Sequence, residues 1–191
     1  MAETPSTMLS IGTDAPDFTL PDTVSGNQVS LADFSGSPLL VVFSCNHCPY
    51  VLHILKSFTA FANEARQRGL GVVMISANDV AGYPADSPQK MTELAASYGF
   101  EFPYCYDESQ RIAIAYRAAC TPDFFLFDAA HKLVYRGQYD GARPGNQVEV
   151  DGRDMRAAVN ALLAGQPISA EQIASVGCNI KWRAGNEPDY F

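Results

Sequence analysis

Residues 39–49, LLVVFSCNHCP, place two cysteines three positions apart directly after a run of five apolar residues. The apolar run predicts a strand that is buried on both faces, because no polar residue alternates with it. Residues 50–56, which follow the second cysteine, predict a helix. Cys45 and Cys48 are therefore expected between a strand end and a helix N-terminus, where the helix dipole and free backbone N–H groups favour a reactive thiolate.

Composition and charge narrow the class of protein. The chain has 191 residues, of which 47% are hydrophobic and 11% aromatic, as in an ordinary globular domain. The net charge is -8, and no basic stripe indicates a nucleic-acid partner. No apolar stretch approaches the roughly 20 residues that cross a bilayer, and residues 1–7 lack the features of a signal peptide. We therefore expect a cytoplasmic protein without a membrane or nucleic-acid partner.

Apolar periodicity and turn residues predict the order of the elements. A β-hairpin over residues 17–31 precedes the main sheet. The predicted strands after it cover residues 39–43, 70–76, 123–127 and 132–136, and the predicted helices cover 49–68, 88–98, 107–116 and 152–164. Strands separated by helices imply parallel crossovers, and the closing hairpin makes the sheet mixed.

Three segments are expected along the chain. Residues 1–8 predict a flexible N-terminal tail, and residues 9–165 predict one α/β domain. Residues 166–191 fit no element of this layout. They contain Cys178 and the only tryptophan, so we expect an extension that packs on the domain.

The five cysteines favour redox chemistry over other uses. An odd number, with three of them scattered singly, argues against a disulfide framework. A structural zinc site needs four ligands, and the sequence has no second CxxC and no HxxxH. We expect no metal and no organic cofactor.

A CxxC at the first βαβ turn, with Thr121-Pro122 directly before a later strand, resembles the thioredoxin-like superfamily. More closely, the chain resembles its redoxin group, related to alkyl hydroperoxide reductase and thiol-specific antioxidant proteins (AhpC/TSA), and within it a peroxiredoxin-like thioredoxin family. The segments that carry this resemblance are residues 11–20, CNHCPY (45–50), YPADSP (83–88), ACTPDFFLFD (119–128), YRGQ (135–138) and GCNIKW (177–182).

The resemblance spans residues 9–188 and implies a thioredoxin-like fold with a central mixed β-sheet flanked by helices, an N-terminal β-hairpin and a C-terminal extension. It also implies that Cys45 is the attacking thiol and Cys48 the buried resolving thiol. Pro122 is expected to be a cis-proline that faces them. The backbone of Thr121 is then expected to pair with the backbone of a substrate.

Two departures from the peroxiredoxin pattern favour disulfide exchange over peroxide reduction. Peroxiredoxins hold the peroxidatic cysteine in Thr-x-x-Cys-Pro, which aligns with Cys48-Pro49 here, and Cys45 fills the threonine position. The arginine that stabilises the peroxidatic thiolate is expected near Pro122 and is absent there. Ser44 also replaces the tryptophan that precedes a thioredoxin CxxC.

Several further side chains have two interpretations. His47 either stabilises a neighbouring thiolate or is a solvated turn residue. Cys120 is either a core residue or a third redox thiol beside Thr121-Pro122. Cys178 either packs or acts as a distal resolving thiol. Asn78 and Asp79 either line the cleft at the strand ends or simply terminate the strand.

The remaining candidates have structural interpretations. Cys105 is expected in the core, His53 on a helix face as an ordinary residue, and His131 in a solvated hairpin turn.

The favoured function is a thiol–disulfide oxidoreductase that uses a Cys45–Cys48 couple in cellular redox homeostasis. Its expected partners are a protein or small-molecule disulfide as substrate, and a dithiol protein or a low-molecular-weight thiol as reductant. The alternative is a peroxiredoxin-like thiol peroxidase with an antioxidant role. A third hypothesis is a copper metallochaperone that binds Cu(I) through the paired cysteines and His131.

Overall fold

The structure is a computed structural model that describes residues 3–191. Its strands are β1 (Glu3–Pro5), β2 (Thr19–Pro21), β3 (Gln28–Ser30), β4 (Leu39–Phe43), β5 (Gly71–Ser76), β6 (Tyr104–Tyr106), β7 (Cys120–Thr121), β8 (Asp123–Phe127), β9 (Leu133–Tyr135) and β10 (Val176–Asn179). Its α-helices are α1 (Pro49–Gln67), α2 (Pro88–Tyr98), α3 (Arg111–Ala115) and α4 (Arg153–Leu163). Two 3-10 turns cover Leu31–Phe34 and Pro84–Asp86. No helix of the described residues is long and apolar enough to cross a membrane.

The central sheet has five strands in the order β6-β5-β4-β8-β9. β4 pairs in parallel with β5 and antiparallel with β8, so the predicted mixed sheet is confirmed. β6 was missing from the prediction because only three residues form it. Cys105 is buried in that strand, as expected for a core residue.

Both faces of the sheet are covered, which explains why the run of β4 lacks polar residues. Leu40 and Val42 pack in one apolar cluster with the buried face of α1. Leu39, Val41 and Phe43 point the other way, into a second cluster rich in aromatic side chains. The predicted burial of this strand on two sides is confirmed, and the strand holds the following cysteines on a rigid support.

The hairpin and the helices around the sheet lie close to their predicted positions, and the starts of α3 and α4 differ in detail. The predicted hairpin is present, with β2 and β3 antiparallel. Helix α3 begins four residues later than expected, and the carboxylate of Asp107 accepts the N–H groups of Ile112 and Ala113 near its start. Gly152 is the N-cap of α4 in a left-handed conformation (φ 68°), and Asp140 accepts its N–H.

A second sheet includes residues for which the sequence predicts a flexible N-terminal tail. It has three strands in the order β1-β10-β7, and β1 pairs antiparallel with β10. The prediction of a flexible tail is therefore wrong for the residues of β1, and residues 1–2 lie outside the described residues. The C-terminal extension supplies the middle strand of this sheet, whereas the domain boundary at residue 165 stays a prediction.

Candidate active site

The two cysteines of the CxxC lie where β4 leads into α1. Cys48 is the N-cap of α1, and Pro49 takes the first helical position. Both thiols are free and shielded from solvent, with 1% of Cys45 and 0% of Cys48 exposed. The predicted setting between a strand end and a helix N-terminus is confirmed.

A third thiol completes the cluster. Cys178 of β10, which is 3% exposed, has its Sγ 2.9 Å from the Sγ of Cys48. The Sγ of Cys45, the other thiol of the CxxC, lies 3.5 Å from the hydroxyl oxygen of Thr121. When Cys48 is protonated, its thiol donates to the carbonyl of Thr121 over 3.1 Å. The site therefore holds a third thiol, which is in direct contact with Cys48.

The surroundings favour a thiolate on Cys48. Its pKa falls to about 5, first because the thiol of Cys45 donates to it, and also because the thiol of Cys178 and the N–H of Val51 donate, against the cost of burial. The pKa of Cys45 rises well above its ordinary value, because Cys45 donates to Cys48, is buried, and lies near the charge of Asp86. These shifts favour Cys48 as the thiolate, whereas the resemblance implies Cys45 as the attacking thiol, so the two roles stay a prediction.

Asp86, a buried carboxylate that the sequence did not single out, anchors the loop of the CxxC. It accepts the backbone N–H of Asn46 and the side-chain amide of Asn78, each over 2.8 Å. Its Oδ2 also lies 2.8 Å from Nδ1 of His47, close enough for an ion pair but not aligned for a hydrogen bond. The ring of His47 stacks on Tyr83 with 5.6 Å between centroids. His47 therefore faces the carboxylate.

Three residues near the CxxC could bind a metal ion, one fewer than a structural zinc site needs. Cys45, His47 and Asp86 each offer one ligand atom, and these atoms lie within 4.8 Å of one another. A structural zinc site takes four ligands, and both oxygens of Asp86 already accept hydrogen bonds. The residues present therefore fit a hydrogen-bonded loop anchor better than a resident metal.

The three residues that the copper hypothesis needs, Cys45, Cys48 and His131, do not lie together. Phe43, next to the CxxC, pairs with Asp123 at the start of β8, whereas Leu39 pairs with Phe127 at its end. His131 follows the far end of β8, and its Nε2 lies 3.2 Å from the carbonyl of Phe34. His131 and the cysteines therefore lie at opposite ends of the central strands β4 and β8.

The peptide bond between Thr121 and Pro122 is cis, as predicted. The backbone of Thr121 does not face an open groove, however, because Thr121 pairs with Cys178 in β10. A Cβ on Gly177 would collide with the carbonyl of Thr121, so only glycine permits this approach. The edge that the resemblance reserves for a substrate is occupied by this chain's own strand.

Of the other candidate residues, one takes part in the hydrogen bonds behind the CxxC and the rest have structural positions. Asn78 is buried, and its Oδ1 accepts the N–H of Lys181 while its amide donates to Asp86, so it belongs to the network behind the CxxC. Asp79 instead accepts N–H groups of its own turn. The Sγ of Cys120 lies 3.5 Å from the carbonyl of Pro122, and burial raises its pKa well above the ordinary value, as for a core thiol. His53 is exposed on α1, as expected.

Comparisons with known proteins agree with this geometry. Residues 11–136 match the AhpC/TSA family. The chain is 28% identical to the thiol-disulfide oxidoreductase ResA of Bacillus subtilis over 130 residues, which cover 66% of each protein. It is 27% identical to the peroxiredoxin Bcp of Escherichia coli over 135 residues, which cover 70% of this chain and 81% of Bcp.

A solved structure extends the similarity to nearly the whole chain. The crystal structure of an uncharacterized conserved protein from Geobacillus kaustophilus is 45% identical and superposes with a TM-score of 0.94, covering 96% of this chain and 97% of that one. The fold is thioredoxin-like, with the CxxC and the cis-proline in one site. From the matched residues and this fold, the chain belongs to the AhpC/TSA family.

Proposed function

We propose that the protein is a thiol–disulfide oxidoreductase that cycles Cys45 and Cys48 between dithiol and disulfide. The observation that carries this proposal is the geometry of the CxxC: two free, buried thiols lie between the end of β4 and the N-terminus of α1, beside the cis peptide bond of Thr121-Pro122. The AhpC/TSA family and the similarity to ResA support redox chemistry on thiol or disulfide substrates. Cellular redox homeostasis in the cytoplasm is the proposed role.

The proposed reaction has two displacement steps. The thiolate of Cys48 attacks one sulfur of a substrate disulfide, forms a mixed disulfide and releases the first substrate thiolate. In the mixed disulfide Cys48 no longer accepts a hydrogen bond from the thiol of Cys45, so the strongest influence that raises the pKa of Cys45 disappears. Cys45 loses its proton and attacks the Sγ of Cys48. The second substrate thiolate leaves with that proton, and the Cys45–Cys48 disulfide remains for a dithiol protein or a small thiol to reduce.

A thiol peroxidase is the second candidate, because the thiolate lies on the cysteine that precedes Pro49, the peroxidatic position of the resemblance. Cys48 would attack a hydroperoxide, form a sulfenic acid and release an alcohol or water. Condensation with the thiol of Cys45 would then form the disulfide and release water. Among the described residues, however, no arginine donates a hydrogen bond to Cys48, which favours disulfide exchange.

Single-turnover oxidation separates the two candidates. The reduced protein is mixed with oxidised glutathione or with hydrogen peroxide, and free thiols are counted over time. We expect oxidised glutathione to convert Cys45 and Cys48 to a disulfide while both glutathione thiols are released. Rapid oxidation by peroxide alone, with dimedone trapped on Cys48 and no reaction with the disulfide, would favour the peroxidase instead.

Replacement of His47 tests whether the loop anchor tunes the couple. The imidazole lies against Asp86, whose charge contributes, after the Cys48 bond and burial, to the raised pKa of Cys45. In His47→Ala the carboxylate of Asp86 loses the imidazole that lies against it, so its negative charge disfavours the thiolate of the CxxC more strongly and the reduced form becomes less stable. We expect a reduction potential that is more negative by on the order of 30 mV, the equivalent of a tenfold change in the equilibrium constant.

A glutathione-buffered titration measures this shift. His53→Ala is the matched control, because His53 is exposed on the same helix that Cys48 caps. An unchanged potential in His47→Ala would show that the imidazole has no influence on the couple.

A further inference from the structure

We propose that Cys178 is a third redox thiol of this site and that Cys48 forms a disulfide with Cys178 as an alternative to the disulfide with Cys45. This inference rests on the proposed function and adds a residue far along the chain to it. The Sγ atoms of Cys48 and Cys178 are 2.9 Å apart, so closing them to the roughly 2.05 Å of a disulfide is a movement of less than 1 Å.

The position of Cys178 is fixed by backbone pairing on both sides. Cys178 pairs with Glu3 of β1 on one side and with Thr121 of β7 on the other. Gly177 lets the strand approach the carbonyl of Thr121. Because β10 is the middle strand of its sheet, the thiol of Cys178 is presented to Cys48 by the fold itself, and the cluster is buried from solvent.

The exchange step is redox-neutral and needs no further reagent. In the oxidised site, Cys178 loses its proton and its thiolate attacks the Sγ of Cys48. The bond between Cys48 and Cys178 forms, the bond between Cys45 and Cys48 breaks, and Cys45 leaves as a thiolate that takes up the proton. The disulfide thereby moves from the CxxC to the C-terminal strand.

The electrostatics of the cluster allow this step only after Cys48 has been oxidised. Burial is the largest influence that raises the pKa of Cys178, to about 12, and the hydrogen bond to Cys48 and its charge follow. The two influences of Cys48 vanish once Cys48 is in a disulfide, while the charge of Lys181 continues to favour the thiolate. Cys178 is therefore protonated in the reduced site and easier to ionise in the oxidised one.

The consequence concerns substrate access. β10 occupies the edge of Thr121 on which a substrate backbone would pair, so the strand competes with substrates for this edge. A disulfide between Cys48 and Cys178 locks the strand in place. Because β10 already pairs on this edge while every cysteine is free, the disulfide adds a covalent bond to an existing pairing, and Cys178 serves as an internal substrate of the site.

The test uses the full chain with Cys45→Ser, which removes the competing partner. The variant is oxidised in a glutathione buffer, alkylated and digested with trypsin, which separates residues 1–56 from residues 157–181. We expect these two peptides to be linked by a disulfide. In Cys45→Ser/Cys178→Ser, Cys48 should carry glutathione instead. Cys45→Ser/Cys105→Ser is the matched control, since Cys105 is a buried thiol of β6, and it should keep the link.

The result that would overturn the inference is a Cys45→Ser protein in which Cys48 carries glutathione and Cys178 stays free. If wild-type protein still forms the Cys45–Cys48 disulfide in the same buffer, the inference about Cys178 fails while the proposed function stands. If wild-type protein forms no disulfide at Cys45, the proposed function itself fails.

Gly177→Ala provides a second test that leaves every sulfur in place. The added Cβ collides with the carbonyl of Thr121 and pushes β10 away from Cys48. Since a 1 Å misplacement of reacting groups can cost about 100-fold, we expect the effective concentration of Cys178 toward Cys48 in Cys45→Ser/Gly177→Ala to fall by roughly that factor. Circular dichroism confirms folding. An unchanged effective concentration would contradict the role of the strand.

Discussion

In the Cys48→Ser variant, we expect disulfide exchange to stop and the thiolate to disappear at neutral pH. The pKa of Cys48 is about 5, so the wild-type site holds a thiolate above that pH. Without Cys48, Cys45 loses its hydrogen-bond partner but stays buried near Asp86, and these two influences keep its pKa high. A thiol with a pKa near 9 is only about 1% ionised at pH 7, so the remaining reactivity falls by about 100-fold or more.

The rate of alkylation by iodoacetamide across pH measures this difference. For reduced wild-type protein, the rate should reach half of its plateau near pH 5, and for Cys48→Ser it should rise only in the alkaline range. Cys45→Ser is the matched control, in which the thiolate remains but its pKa rises, because the bond from Cys45 is the largest influence that lowers it. Wild-type alkylation kinetics in Cys48→Ser would place the thiolate on Cys45.

In the Asp86→Ala variant, we expect the largest loss of stability among single changes around the site. Asp86 is fully buried and accepts the N–H of Asn46 and the amide of Asn78. Each buried donor left without an acceptor costs about 1–3 kcal/mol, so the loss of an acceptor for two donors should lower the free energy of unfolding by about 2–6 kcal/mol. The loop that carries the CxxC then loses its anchor, because Asn46 lies between the two cysteines.

Urea unfolding of the reduced protein measures this loss. Asp79→Ala is the matched control, because Asp79 accepts N–H groups of Ala81 and Gly82 in the same segment but is not buried. The control should change the free energy of unfolding by less than about 1 kcal/mol. Equal destabilisation by the two variants would show that the buried carboxylate does not anchor the loop.

The parts of the fold that the sequence predicts depend on local patterns. The run LLVVF of β4 is apolar throughout because both faces of the sheet are covered, and this pattern is visible without any knowledge of pairing. The hairpin of β2 and β3 and the start of α2 at Pro88 likewise follow from turn and cap residues. Thr121-Pro122 was recognised through a resemblance, and its cis bond is confirmed.

The second sheet escaped prediction because its contacts are distant in sequence. β10 contains Gly177 and Asn179, residue types that are depleted in strands, so nothing local indicates a strand. It is stabilised by pairing with β7 and β1, which lie far away along the chain. The same reason explains why the sequence predicts a tail where β1 forms.

The roles of the two cysteines stay a prediction for a related reason. Spacing shows that Cys45 and Cys48 form a pair, but which of them is the thiolate depends on which thiol donates to which, and on the positions of Cys178 and Asp86. Those two side chains reach the site from other segments of the chain. The sequence therefore predicts the pair and its chemistry, while the tertiary structure decides the order of events within it.

The reduction potential of the Cys45–Cys48 couple tests the account most directly. Stabilisation of the Cys48 thiolate favours the dithiol, which makes the disulfide more oxidising. In a glutathione-buffered titration of Cys178→Ser protein, followed by alkylation, we predict a reversible two-electron couple at a potential less negative than the roughly -270 mV of thioredoxin. A potential at or below that value, or the absence of any reversible Cys45–Cys48 disulfide, would contradict the account.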